Sequence, residues 1–120
     1  MIKLTVEDVV MMQENMNFIL DLQLPAKTSY KVGSFVNAIK IKYTEFDVKR
    51  QELVRKYGQL DPDKAEIKVS VENMEKFSVE LRGILSQETE IDIDLISLED
   101  VGDMKVSAKN MAIFAKVFKE

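Results

Sequence analysis

The sequence predicts an α+β chain, mainly α. It reads as an antiparallel helical hairpin with a long second helix, a small β-α-β element and a C-terminal helix. Three observations predict this. Apolar residues recur at helical spacing ahead of Pro25, a second helical stretch runs from Pro25 to Gly58, and two short segments beyond it alternate apolar with polar residues. At 120 residues the chain fits one domain, with the hairpin in residues 1–58 and the α/β element plus C-terminal helix in residues 59–120.

Thr5 suits a helix N-cap, with Glu7 and Asp8 in the first turn, where the helix dipole favours acids. Val9, Met12, Met16 and Ile19 then form an apolar stripe, widened by Val10, Phe18 and Leu20. Pro25 ends this first helix near Leu22. The second helix begins at Pro25, or at Thr28 or Ser29 as a cap. It ends at Tyr57, with Gly58 expected in the left-handed conformation. Roughly 30 residues give it a length of about 45 Å. Val32, Val36, Ile39, Tyr43, Phe46, Leu53 and Tyr57 follow alternating steps of four and three, interrupted by Arg50. That is a heptad seam, too long for the first helix to cover. Phe35, Ile41 and Val48 lie off it and suggest a second covered flank. The far half of the seam, from Phe46 to Tyr57, needs cover from the C-terminal helix, the β-α-β element or a second subunit.

AEIKVSV (65–71) alternates as a half-buried strand. Asn73 is placed to cap a third helix with Met74, Phe77, Leu81 and Ile84 or Leu85 inside, and Ile91, Ile93 and Leu95 mark another strand. This order permits a right-handed crossover between parallel strands. Ser97 starts a short turn closing at Gly102, and Ser107 caps a last helix with Met111, Phe114 and Val117 inward.

Composition narrows the chemistry. The chain has no cysteine and no histidine, which excludes disulfides, thiolate metal sites, zinc–histidine sites and histidine-dependent triads. No run of about 18 apolar residues predicts a membrane span, and MIKLTVEDVV carries acids where a signal peptide needs a basic start. The net charge of −4 hides a segregation: residues 27–58 carry eight basic against three acidic side chains, and residues 59–103 four against thirteen. Glu90, Asp92 and Asp94, with Glu99, Asp100 and Asp103 near, share a face that suits a hard cation, but equally serve as the wet face of an amphipathic strand. No calcium-loop spacing, phosphate loop or nucleic-acid motif is present. No cofactor, metal or catalytic residue is therefore expected. Arg50, alone in the apolar seam, either extends its stem to solvent or pairs with an acid from residues 59–103.

The succession LPAKTSYK (24–31), a long charged helix ending KYG (56–58), an acidic turn with Asp61 and Asp63, then IDID (91–94) and SLED (97–100), resembles small uncharacterised proteins of tailed phages and prophages of Gram-positive bacteria. The resemblance spans nearly the whole chain. Gly33 and Ser34 depart from it, standing where such proteins carry alanine, lysine or asparagine, and mark a possible bend. It implies a setting in the host cytoplasm or the virion. The expectation is a non-enzymatic, self-associating protein that binds other proteins, a structural or assembly accessory factor, with no nucleic-acid or membrane partner. The alternative is an inhibitor of a host protein, using the acidic half as a nucleic-acid decoy. Candidate partner-binding residues are Phe46, Arg50, Leu53, Tyr57, Glu90, Asp92 and Asp94.

Overall fold

A computed structural model describes residues 1–61, 66–102 and 104–120, so Asp63 and Asp103 lie outside the described residues. The chain is α+β and mainly α. It opens with a strand the sequence did not signal, β1 (Ile2–Thr5). Thr5 closes that strand and caps α1 (Val6–Glu14): its hydroxyl accepts from Asp8 N at 3.1 Å, and its N–H donates to Asp8 Oδ2 at 3.0 Å. The expected single first helix breaks at Asn15, where the side-chain amide donates to Met11 O at 2.8 Å. Short polar side chains offer the backbone such alternatives to helix. The helix resumes as α2 (Met16–Leu20).

After Pro25 comes α3 (Ala26–Tyr57), an unbroken helix of 32 residues. At 1.5 Å per residue it is about 48 Å long, which matches the 52 Å long axis of the molecule. Gly33 and Ser34 sit inside this continuous helix. Thr28, a candidate cap in the sequence, lies in the first turn instead, and its hydroxyl donates to Asp100 Oδ2 at 2.7 Å. That turn has no acid of its own, so Asp100 brings negative charge to the positive end of the helix dipole from 72 residues away.

Gly58 is extended (φ −92°, ψ 162°), not left-handed. It begins β2 (Gly58–Asp61), which pairs antiparallel with β3 (Glu66–Val69). A Cβ at Gly58 would collide with Val54 O and Ile67 Cγ2, so glycine is required here by close approach. A 3₁₀ turn (Val71–Asn73) leads into α4 (Met74–Leu85), followed by β4 (Glu88–Ile91). The strand–helix–strand order is as expected, but the strands do not pair in parallel. β3 folds back on β2, and β4 runs antiparallel to β1 with Ile2 opposite Ile91 and Leu4 opposite Thr89. A short hairpin closes at lower entropic cost than a helical crossover, and β1 gives Ile91 an apolar neighbour. Ile93 and Leu95 lie beyond the end of β4, both half-buried.

The short β5 (Ile96–Ser97) precedes α5 (Leu98–Val101), which closes at Gly102 with φ 63°, a conformation natural to glycine. Ser107 caps α6 (Ala108–Ile113) by accepting from Asn110 N at 3.1 Å. A 3₁₀ turn (Ala115–Val117) and β6 (Phe118–Lys119), parallel to β5, end the chain.

Leu4, Met12, Ile19, Phe35, Ile39, Ile91, Ile96, Phe114 and Val117 anchor one core around the first half of α3. Phe114 packs between Phe18, in a tilted contact, and Phe35, edge to face, with ring centroids 5.6 and 6.3 Å away. Met111, expected inside, is only half-buried, and Met74 is 46% exposed. Lys116 Nζ donates to Asp8 Oδ2 at 2.8 Å and ties the C-terminal turn to the cap of α1.

Candidate protein-binding site

α3 presents two faces. The inner one is the seam read from the sequence: Val32, Ile39, Phe46 and Leu53 are buried, and Val36, Tyr43 and Tyr57 half-buried. Its far half is covered within the chain, by α4 and the β2–β3 hairpin. Phe46 and Leu53 (6% and 9% exposed) are therefore occupied in packing the protein on itself. Arg50 does not reach an acid of residues 59–103. It binds Asp47 one turn earlier, through Nε at 3.0 Å and Nη2 at 2.6 Å, and Asp47 also accepts from Gln51 Nε2 at 2.9 Å. Residues three apart on a helix meet without long-range ordering, and the local acid wins. The carbonyl of Tyr57 accepts from Asn73 Nδ2 at 3.2 Å, so Asn73 fastens α4 to the end of α3 and makes no cap bond. Lys56 Nζ lies 5.0 Å from the Tyr57 ring centroid and donates to Glu80 Oε1 at 3.0 Å. That hydrogen bond raises the Lys56 pKa and lowers that of Glu80.

The acidic candidates are separate from these. Glu90 is exposed on β4, and Asp92 and Asp94 are exposed beyond its end. Asp94 stands 3.9 Å from Lys31 of α3. Among the described residues no group of three or more His, Cys, Asp or Glu is arranged to hold a metal ion. No described helix is long and apolar enough to cross a membrane. One depression, about 120 Å³, lies between α1, α3, α4 and β4, and its charged lining of Lys42, Lys49, Glu45 and Glu88 is balanced. It is small beside the roughly 300–1,000 Å³ of sites that hold small molecules.

The outer face of α3 is the one the sequence reading missed. Of the three off-seam residues, Phe35 is buried, whereas Ile41 and Val48 are 53% and 52% exposed. They belong to a second set of four–three steps: Ser34, Ile41, Val48 and Arg55 recur every seven residues, interleaved with Tyr30, Asn37, Thr44 and Gln51. All eight are exposed, Tyr30 to 80%. The signal was present in the spacing but hidden by composition, since only three of the eight are apolar.

No protein-family model, no curated protein and no solved structure matches this chain.

Proposed function

We propose that this chain is a non-enzymatic, self-associating protein that works by binding other proteins, as a structural or assembly accessory factor of a tailed phage or prophage. The phage setting, in the host cytoplasm or the virion, rests on the resemblance of residues 24–31, 56–58 and 91–100 described above. The binding reading rests on one observation: a helix about as long as the molecule leaves Tyr30, Ile41 and Val48 exposed along one side. Apolar side chains spaced for a partner helix mark an interaction surface. Light-scattering mass at two concentrations a hundredfold apart tests it. A mass above the 13.8 kDa monomer, growing with concentration, is expected; a strict monomer at both contradicts it.

A second reading, inhibition of a host protein by a decoy of nucleic acid, is favoured by the exposure of Glu90, Asp92 and Asp94. Binding to a basic host protein would then weaken from low to high salt. Salt-independent capture argues against it.

A further inference from the structure

We infer that the outer face of α3 binds the same face of a second copy in an antiparallel arrangement, with Ile41 of one chain against Thr44 of the other. This rests on the self-association reading and names its surface, partner and register.

The seam selects a helix as its occupant, because eight exposed positions repeat at heptad spacing over about 38 Å of α3, from Tyr30 to Arg55. Charge selects a second copy and sets its direction. When two such helices run antiparallel, Val48 faces Asn37, Ser34 faces Gln51, and Tyr30 faces Arg55 of the second copy. The flanking positions then bring Lys40 opposite Asp47 and Lys31 opposite Glu52, each twice by symmetry, while Ala38 meets Glu45 and Gly33 meets Val54. All directly opposed charges are of opposite sign. A parallel pair, by contrast, keeps one attraction, Lys40 against Glu45, but sets Asp47 against Glu52 and Arg55 against its own copy, so it is the less favourable of the two.

Three further features fit. Lys40 and Glu52 have no ion pair among the described residues. Gly33 is an exposed glycine inside a helix, with nothing within 4 Å of the place a Cβ would take, so its own chain gives no reason for the missing side chain. A second helix crossing there does, since the Val54 side chain of the other copy needs that space. Finally, Asp92 and Asp94 line the depression beside Tyr30 and Ser34, where Arg55 of the second copy arrives. The cluster of acids and the basic helix, distant in sequence, are thereby brought together between copies. Asn37, Thr44 and Gln51 make the seam polar, which fixes register at a cost in affinity, so the dimer depends on concentration.

The test uses the absence of cysteine from the chain. Single variants Ser34→Cys and Gln51→Cys are spin-labelled and measured by pulsed dipolar spectroscopy, separately and mixed. The antiparallel register predicts same-site label separations of about 26 Å along the helix axis, and a new distance near 10 Å only in the mixture. Short same-site distances would mean a parallel pair and overturn the inference. In parallel, Ile41→Glu with Val48→Glu is expected to weaken the dimer at least tenfold with unchanged helical content. Lys40→Glu weakens it several-fold, and adding Asp47→Lys restores it. A dimer indifferent to all of these substitutions uses another face, which overturns this inference and leaves self-association standing. A monomer at every concentration overturns both.

Discussion

Replacing Phe114 with alanine tests whether the C-terminal segment belongs to the core. The side chain is fully buried, between Phe18 at 5.6 Å and Phe35 at 6.3 Å, so truncation loses burial and both aromatic contacts and leaves a cavity. Phe→Ala changes at such sites cost about 3–5 kcal/mol. An unfolding entropy near 2.1 cal/mol/K per residue gives about 250 cal/mol/K for a chain of this length, so the melting temperature falls by about 12–20 °C. A thermal melt followed by circular dichroism reads this directly. Val79→Ala is the control: Val79 is 64% exposed on α4, and such changes stay within about 0.5 kcal/mol. A drop of less than about 4 °C for Phe114→Ala would amount to roughly 1 kcal/mol and would refute the docking of residues 107–119 against α2 and α3.

Three further outcomes follow from the geometry. Thr28→Val leaves the Asp100 carboxylate without its 2.7 Å donor and costs about 1–3 kcal/mol in urea unfolding; combined with Asp100→Ala it costs less than the two single losses together, and simple additivity would argue against the bond. Burial works to raise the pKa of Asp8, but the Lys116 hydrogen bond, the Thr5 N–H and the Lys116 charge together hold it below its ordinary value. A depressed folded pKa means that Asp8 stabilises the fold above the unfolded pKa, near 4, and that this contribution is lost as pH falls below it. The stability gap between wild type and Asp8→Asn is therefore full at pH 7 and closes below pH 4; a gap that widens in acid contradicts the sign. Gly58→Ala forces a Cβ against Val54 O and Ile67 and is expected to cost about 1–3 kcal/mol, although its φ of −92° suits any residue; unchanged stability in chemical denaturation refutes the close approach.

What the sequence showed well was local. Thr5, Ser97 and Ser107 cap helices as their neighbours imply, Pro25 separates the first two helices, and the seam from Val32 to Tyr57 points inward along its whole length. What it concealed was pairing at a distance. Four residues, Ile2 to Thr5, carry too short an alternation to stand out, and nothing local says that they hold Glu88–Ile91 eighty-odd residues later. Glu66–Val69 is a strand as its alternation implies, but the expected inner face is not buried, with Ile67 43% and Val71 93% exposed, and alternation does not choose a partner; the adjacent Gly58–Asp61 is the nearest one. The partner of Arg50 is an acid three residues away on its own helix, not one from the distant acidic segment. The expected partner-binding set divides accordingly. Phe46 and Leu53 are enclosed by the chain, while Asp92 and Asp94 are exposed beside Tyr30. The second heptad is marked by the exposure of Ile41 and Val48 and not by the sequence pattern, because Asn37, Thr44 and Gln51 dilute its apolar signal.

The division of α3 into a face for its own fold and a face for a second copy is tested most directly by two isoleucines two positions apart in the sequence. Ile39 is fully buried and Ile41 is 53% exposed. Ile39→Glu places a charge in the core and should abolish the folded state, whereas Ile41→Glu should keep a native melt. In sedimentation velocity, wild type at high concentration is expected at twice 13.8 kDa and Ile41→Glu as the folded monomer. An Ile41→Glu protein that sediments as wild type does would contradict the assignment of the outer face.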